Sequence, residues 1–352
     1  MKRSEVRLAV SMGCPSGIGP EVSVAAAARL LDRARDHVRV LLVGDLGALR
    51  AAAGIVGVDR ARLVKVPHAP KAFTLASCMI PVLEPGAALA ARDRMPGAPS
   101  RRAGRAQLEY IDVATDLVAG EHADALVTGP VSKDAISRSG APGARGFLGH
   151  TEYLAARLGA KEVVMAFWSE ALTTSLVTTH LPLSAVPKAI TKEGVACATY
   201  WTAWLIRRLV APGTRPVVAV AALNPHAGEH GLIGCEETAA IGSGIVLARK
   251  RLARASIDVV IRGPVAAESA FRLGASGVYN AVVAMYHDQA TIPMKLLSFG
   301  EAVNVSLGLP IVRTSVDHGT AYDRAGKGTA DPRGMLQAMR LAARLVRAGK
   351  QS

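Results

Sequence analysis

Short apolar runs alternate with glycine turns and alanine-rich stretches along this chain, and that rhythm constrains its fold more than any other feature. Val6–Ser11 is an apolar run that leads into Gly13-Cys-Pro-Ser-Gly-Ile-Gly-Pro-Glu21. A helical pattern follows from Glu21 to about Asp36, and Val38–Val43 then reads as a buried strand stopped by Gly44-Asp45. Strand, glycine turn, helix, strand is how a parallel α/β sheet is wound. Strands covered by helices on both faces are apolar throughout. Further strands are expected at Ala125–Thr128, Val163–Phe167, Thr174–Thr178, Val217–Leu223, Val259–Ile261 and Ala281–Met285. Helical spacing marks Arg102–Gly120, Thr191–Val210, Glu236–Ala255 and Gly334–Ala348. The proline-rich stretch 66–100 is expected to form loops and short strands. No internal repeat or low-complexity linker interrupts the pattern.

A chain of 352 residues suits one large or two medium domains. Half its residues are hydrophobic but only 4% are aromatic, which favours an α/β interior of Ala, Val and Leu over an aromatic-rich β-sandwich. The net charge of +14 has three readings: a nucleic-acid stripe, a basic cleft for an anionic substrate, or solvated arginine faces. The basic residues are spread through helix-like stretches without interleaved aromatics to stack bases. Most of the charge is therefore read as solvated surface, with a few cations kept for a substrate and no nucleic-acid partner. Cys14, Cys78, Cys197 and Cys235 form no C-x-x-C pair, so reduced thiols are expected. Met1–Val10 is too short and too charged for a signal peptide. No apolar stretch approaches the ~18–20 residues of a membrane span. A soluble, cytoplasmic protein with no membrane partner is the expectation.

Three histidines follow strand-like runs: His180, His226 and His287. Ligands of open α/β sheets gather beyond the carboxyl ends of strands. Imidazoles converging there suit Zn, Fe, Co, Ni or Mn and leave a coordination position open. Each alone reads more readily as a structural or surface histidine, and their spacing matches no short metal motif. Asp288, beside His287, is a partner for the imidazole, a base or a turn residue. Lys295, Asn304 and Arg313 bring two cations and an amide, suited to a phosphate or carboxylate or to the solvated surface. His150-Thr151-Glu152 reads as a helix start, where free backbone amides favour an anion or an ordinary N-cap forms. Arg313–Gly328 is dense in glycine and polar residues and is expected to be a ligand-binding loop. Gly17-Ile-Gly19-Pro-Glu21 lacks the third glycine of a Rossmann fingerprint, and there is no P-loop, nucleophile elbow or H-E-x-x-H.

Taken together, several of these stretches resemble the 4-hydroxythreonine-4-phosphate dehydrogenase family of vitamin B6 biosynthesis. The resemblance rests on Val127-Thr-Gly-Pro-Val-Ser-Lys133, Gly149-His-Thr-Glu-Tyr-Leu154, Leu223-Asn-Pro-His-Ala-Gly-Glu229, Met285-Tyr-His-Asp-Gln289, Val303-Asn-Val-Ser-Leu-Gly-Leu-Pro310 and Arg313-Thr-Ser-Val-Asp-His-Gly-Thr320. It implies an α/β fold of the isocitrate/isopropylmalate-dehydrogenase type, two α/β domains with the active-site cleft between them, and a homodimer. The expected domains are 1–130 plus 317–352, carrying a cofactor-side loop, and 131–316, carrying metal, substrate and dimer contacts. It further implies that His180, His226 and His287 hold a divalent metal (Zn, Mg or Co). His150, Thr151, Lys295, Asn304 and Arg313 match substrate-binding positions. His318, Gly319, Thr320, Asp323 and Gly326 resemble an NAD or NADP loop. Departures are Cys14 and Asn280, which stand where the family has aspartates, and Glu268, which carries its carboxylate on a longer arm.

The implied reaction is oxidation of 4-phosphohydroxy-L-threonine to a 3-keto acid, which loses CO2 to give 3-amino-2-oxopropyl phosphate. Asp288, Glu268 and Lys295 are the candidates for the acid–base and charge-stabilising roles. Alternatives are a sister dehydrogenase for a phosphorylated four-carbon sugar acid (erythronate or threonate 4-phosphate) or a cyclic diol carboxylate, and a metal-dependent hydrolase or lyase.

Overall fold

Apolar strands that need cover on both faces organise the chain into two α/β units. The computed structural model describes residues 5–32 and 37–350. Unit 1 comprises Met1–Ala160 with Leu309–Ser352, and unit 2 comprises Lys161–Gly308.

The strands of unit 1 are β1 (Val6–Ser11), β2 (Val38–Val43), β3 (Leu63–Lys65), β4 (Ile80–Leu83), β5 (Ala125–Thr128) and, after the chain returns from unit 2, β12 (Val312–Val316). They lie in the order β3-β4-β2-β1-β5-β12 and every pairing is parallel. Leu8, Leu41, Leu42 and Leu126 are fully buried. Each such side chain contributes on the order of 1.5–3 kcal/mol relative to exposure. The chain leaves β1 toward β2 on one side, while β5 lies on its other side, so the winding reverses between β1 and β5. Open α/β sheets bind their ligands beyond the carboxyl ends of the strands at such a reversal. Two glycines permit the close approach there. A Cβ on Gly13, whose φ is +78°, would run into the Pro130 carbonyl, and one on Gly129 would lie 2.6 Å from the Met12 carbonyl oxygen. The Cys14 amide donates to Pro130 O at 2.8 Å across the same junction.

Unit 2 contains β6 (Val164–Trp168), β7 (Thr173–Leu176), β8 (Val217–Ala221), β9 (Val260–Val265), β10 (Ala281–Ala284) and β11 (Val303–Leu307). Their order is β11-β6-β7-β10-β8-β9. The β11–β6 and β6–β7 pairs are antiparallel, and the others are parallel. Phe167, Leu172, Leu176, Val282 and Met294 form its core with small alanines from β8 and β10. Helices Lys192–Leu209 and Gly242–Arg254 pack closely, because Gly244 leaves no side chain between them: a Cβ there would meet Val195 Cβ at 2.6 Å.

Several sequence-based expectations shift. The first helix spans Gly19–Leu31, and its expected end near Asp36 lies outside the described residues. Arg313–Val316, expected as loop, belongs to β12; its polar side chains are buried and bonded, which disguises the strand. Arg313 donates to Thr128 Oγ1 and Thr314 Oγ1 donates to Ala338 O at 2.9 Å. The helix expected from Glu236 opens with a π-helical turn, Glu237–Ile241. A helix with an internal proline, His287–Ser298, follows β10. The first unit boundary falls after Ala160 rather than after residue 130, because the 150–157 helix bonds back to unit 1: Tyr153 Oη donates to Asp112 at 2.6 Å and Arg157 to Asp116 at 2.7 Å. All four cysteines are free thiols. Among the described residues no helix is long and apolar enough to cross a membrane.

Candidate functional site

In unit 2 the strands β7, β10 and β8 run parallel and adjacent, with Thr174, Ser175 and Leu176 level with Val282, Val283 and Ala284. Their carboxyl ends therefore lie side by side, and each leads within a few residues to one of the three histidines. The segments beyond the strands are tied together. Thr178 Oγ1 donates to Met285 O at 2.7 Å, Gln289 Oε1 accepts from Met285 N at 2.6 Å, and Gln289 Nε2 donates to Ala222 O at 2.9 Å. His180 and His287 come together, with ring centroids 5.3 Å apart. His287 Nδ1 meets Asp288 Oδ1 at 2.7 Å. An ionised carboxylate only accepts, so in this bond Nδ1 is the donor.

His226 sits elsewhere in conformation. Residues 226–230 all have positive φ, and four of them are not glycine. Such backbone costs on the order of 1–3 kcal/mol per residue unless the surroundings hold it. Part of that hold is the buried Glu237, whose Oε1 accepts from the Leu223 and Asn224 amides at 2.9 and 2.8 Å. Among the described residues no group of three or more His, Cys, Asp or Glu side chains is gathered to enclose a metal ion. The donor chemistry of the His180–His287 pair fits a divalent ion, and His226 stands outside that pair.

Glu268 and Lys295 are exposed, and Asn304 is half-buried on β11. Glu268 lies in the first turn of the helix Ala267–Ala275 and accepts from Ser269 Oγ at 2.7 Å. Asp288 is exposed and engaged with His287. Asn280 Oδ1 accepts from Val217 N at 2.8 Å, a structural bond that an aspartate oxygen would accept equally well.

Unit 1 holds the other predicted groups. The helix His150–Arg157 begins at Gly149, whose side is bare, and no side chain caps it. The start of such a helix favours an anion through its dipole. His150 keeps some exposed surface, yet its Nε2 is sealed from solvent and has no hydrogen-bond partner among the described residues. Burial, reinforced by the Arg313 and Lys133 charges, holds its pKa well below the usual imidazole range. The ring is neutral at physiological pH. Thr151 is buried beside it. Arg313 is 2% exposed, and its Nη2 donates to Thr128 Oγ1 at 2.6 Å. Burial pulls the guanidinium down to about 9, with Glu152 opposing the shift, so the group stays cationic at neutral pH. Lys133 also faces this cluster and was not singled out from the sequence, where it is one lysine among many.

The 317–328 segment docks on the glycine-rich Gly13–Glu21 segment. Ile18 N donates to Thr320 O at 2.9 Å, and a Cβ on Gly17 would lie 2.7 Å from that oxygen. The buried Glu21 accepts from Gly326 N at 2.6 Å and Gly328 N at 3.2 Å, so the Gly326 amide is already committed. His318 Nδ1 contacts Gly319 O at 3.0 Å, while its Nε2 is buried without a partner among the described residues. Asp323 and Gly319 are exposed. Cys14 Sγ lies 3.4 Å from Tyr322 Oη, and burial pushes the thiol pKa up. A neutral thiol therefore stands just beyond the carboxyl end of β1.

Residues 36–342 match the family described as pyridoxal phosphate biosynthetic protein PdxA. The chain is 39% identical over 347 residues to the 4-hydroxythreonine-4-phosphate dehydrogenase of Geobacter metallireducens, covering 99% of this chain and 97% of that one. The crystal structure of the 4-hydroxythreonine-4-phosphate dehydrogenase from Klebsiella pneumoniae superposes with a TM-score of 0.81 at 32% identity, covering 97% of this chain and 100% of that one. A terephthalate 1,2-cis-dihydrodiol dehydrogenase from Burkholderia xenovorans shows a TM-score of 0.64 at 27% identity, covering 96% and 98%. With full-length identity near 40% and strand ends that present the histidines and the anion-facing cluster, the chain belongs to the 4-hydroxythreonine-4-phosphate dehydrogenase family, oxidoreductases of pyridoxal phosphate biosynthesis.

Proposed function

We propose that the chain oxidises 4-phosphohydroxy-L-threonine at its secondary alcohol with NAD or NADP, forming a 3-keto acid that decarboxylates to 3-amino-2-oxopropyl phosphate. The observation that carries this reading is the division of labour between two sets of strand ends. Unit 2 presents imidazoles at three adjacent parallel strands, and unit 1 presents a neutral His150 beside the buried Arg313.

His180, His226 and His287 would hold a divalent ion such as Zn, Mg or Co. Such an ion would acidify the substrate hydroxyl and polarise the ketone, and NAD(P)+, when bound, would accept the hydride. Asp288 keeps the proton on His287 Nδ1 and fixes the ring. Glu268, whose carboxylate accepts from Ser269 Oγ, is the other carboxylate candidate for the proton acceptor in unit 2. Arg313 and the first amides of the His150 helix bind the phosphate, and His150 adds a neutral hydrogen bond at Nε2. Thr151 supports the helix start. Lys295 and Asn304 serve the carboxylate and amine end of the substrate. The 317–328 loop, with His318, Gly319, Thr320 and Asp323, faces the cofactor, and Gly326 shapes the loop through its bond to Glu21.

Self-association completes the reading. Ile292, Leu296 and Phe299 lie along one side of the helix end in unit 2, at 60%, 81% and 80% exposure. Apolar side chains so placed call for a second copy of the chain.

The test is steady-state NAD(P)+ reduction with 4-phosphohydroxy-L-threonine, erythronate 4-phosphate, threonate 4-phosphate and a cyclic diol carboxylate, before and after chelation and add-back of Zn, Mg or Co. The expected result is preference for 4-phosphohydroxy-L-threonine, loss of turnover on chelation and recovery on add-back. Undiminished reduction by verified metal-free protein overturns the metal assignment, and preference for the diol carboxylate overturns the substrate.

A further inference from the structure

The β10–β8 pairing runs from Ala281 opposite Val218 to Val283 opposite Val220. Two residues beyond that register, the side-chain amide of Gln289 spans the two strand exits. Its Oε1 accepts from Met285 N at 2.6 Å and its Nε2 donates to Ala222 O at 2.9 Å. Oxygen toward the N–H and nitrogen toward the carbonyl is the one orientation that satisfies both bonds. The carboxamide thus does what a peptide group does between parallel strands, accepting on one side and donating on the other. The Ala222 amide turns the other way and donates to Val265 O of β9 at 2.7 Å.

A second side chain acts from the opposite flank of β10. The ladder with β7 continues past Leu176: Val177 N donates to Ala284 O at 2.9 Å and Thr178 N to Met285 O at 3.1 Å. Thr178 Oγ1 adds a shorter bond to the same carbonyl, at 2.7 Å. Side chains therefore claim both polar atoms of the Met285 main chain, Gln289 the N–H and Thr178 the carbonyl. Met285 and Thr178 are buried.

These bonds bracket two of the histidines. Thr178 stands two residues before His180, while Met285 stands two before His287 and Gln289 two after it. Gln289 lies in the first turn of the helix His287–Ser298. It reaches back over the helix start as a capping-box glutamine does, but to the residue before the cap. That bond closes residues 285–289 into a loop with His287 at its middle. Both imidazoles thereby hang from one anchored residue, and their ring centroids lie 5.3 Å apart.

We infer that Gln289 and Thr178 are positioning residues that set the spacing of His180 and His287 for a divalent ion, by clamping the Met285 main chain between them. The inference rests on the reading of that pair as ion ligands. Metal sites tolerate ligand displacements of only about 0.2 Å. A strand exit freed on one side would therefore weaken binding without removing a ligand.

The test titrates Co(II) into wild type, Gln289→Met, Thr178→Val, Thr178→Ser, His180→Ala and His287→Ala, following the visible absorption of the bound ion. The urea midpoint of each metal-free protein is measured alongside. Methionine and valine nearly keep the volumes of glutamine and threonine but cannot make the bonds. Gln289→Met and Thr178→Val are expected to weaken Co(II) binding roughly 10–100-fold, the scale for groups that orient metal ligands, and to shift the absorption bands. Thr178→Ser, which keeps the hydroxyl, should recover most of the affinity. If Gln289→Met and Thr178→Val bind Co(II) like wild type while both histidine variants lose it, the two side chains only support the fold. The positioning assignment is then overturned, whatever the urea midpoints, and the ion site stands. If the histidine variants also bind Co(II) like wild type, the ion reading falls and takes the proposal with it.

Discussion

At the scale of single residues, the surroundings separate the histidines. His287 is bonded through Nδ1 to the exposed Asp288. His150 is held neutral by burial and by the Arg313 and Lys133 charges, as a partner to an anion. That neutrality has a stability consequence. In the unfolded chain His150 regains the ordinary imidazole pKa of about 6.5. The folded value is lower, so the unfolded state binds more protons between the two values. Stability is then complete above about pH 6.5 and falls as the pH drops toward the folded pKa. Thermal unfolding of wild type and His150→Gln across acidic pH isolates this share. The wild type should lose Tm more steeply below about pH 6.5 than the variant. Parallel curves for the two proteins would contradict the buried neutral ring.

At the scale of elements, the loop after β8 stores the most backbone strain, with residues 226–230 all in the left-handed region. Glu237 anchors its entrance through the Leu223 and Asn224 amides and also accepts from Asn224 Nδ2 at 3.0 Å. Glu237→Ala would strand those donors, and leaving such groups unsatisfied costs about 1–3 kcal/mol. Urea unfolding should show a loss of roughly 2–3 kcal/mol. Glu237→Gln, which keeps an acceptor oxygen, should lose less. Equal stability of wild type and Glu237→Ala would mean that the loop is held by something else.

At the scale of the whole molecule, the proposed self-association rests on the exposed Leu296 and Phe299. Replacing both with aspartate should convert a dimer to a monomer in sedimentation or light scattering. A double variant that keeps the wild-type dimer mass would exclude this surface from the interface.

Local pattern in the sequence was enough for the alternating strands and helices, since period and turn chemistry depend on near neighbours. Val6–Ser11, Val38–Val43 and Ala125–Thr128 stand in the structure with the expected bounds. The family motifs likewise name their own residues. Burial of polar groups hid other elements: β12 reads as loop because Arg313 and Thr314 find their partners in distant segments, Thr128 and Ala338. Pro293 similarly masks the helix His287–Ser298. Which histidines pair was also beyond local pattern, because it depends on β7, β10 and β8 being neighbours despite their separation in the chain. The sequence by itself determined the α/β class, the family and the chemical types available. Strand order and side-chain burial, which arise from contacts between remote segments, decided which of those groups meet and in what state of charge.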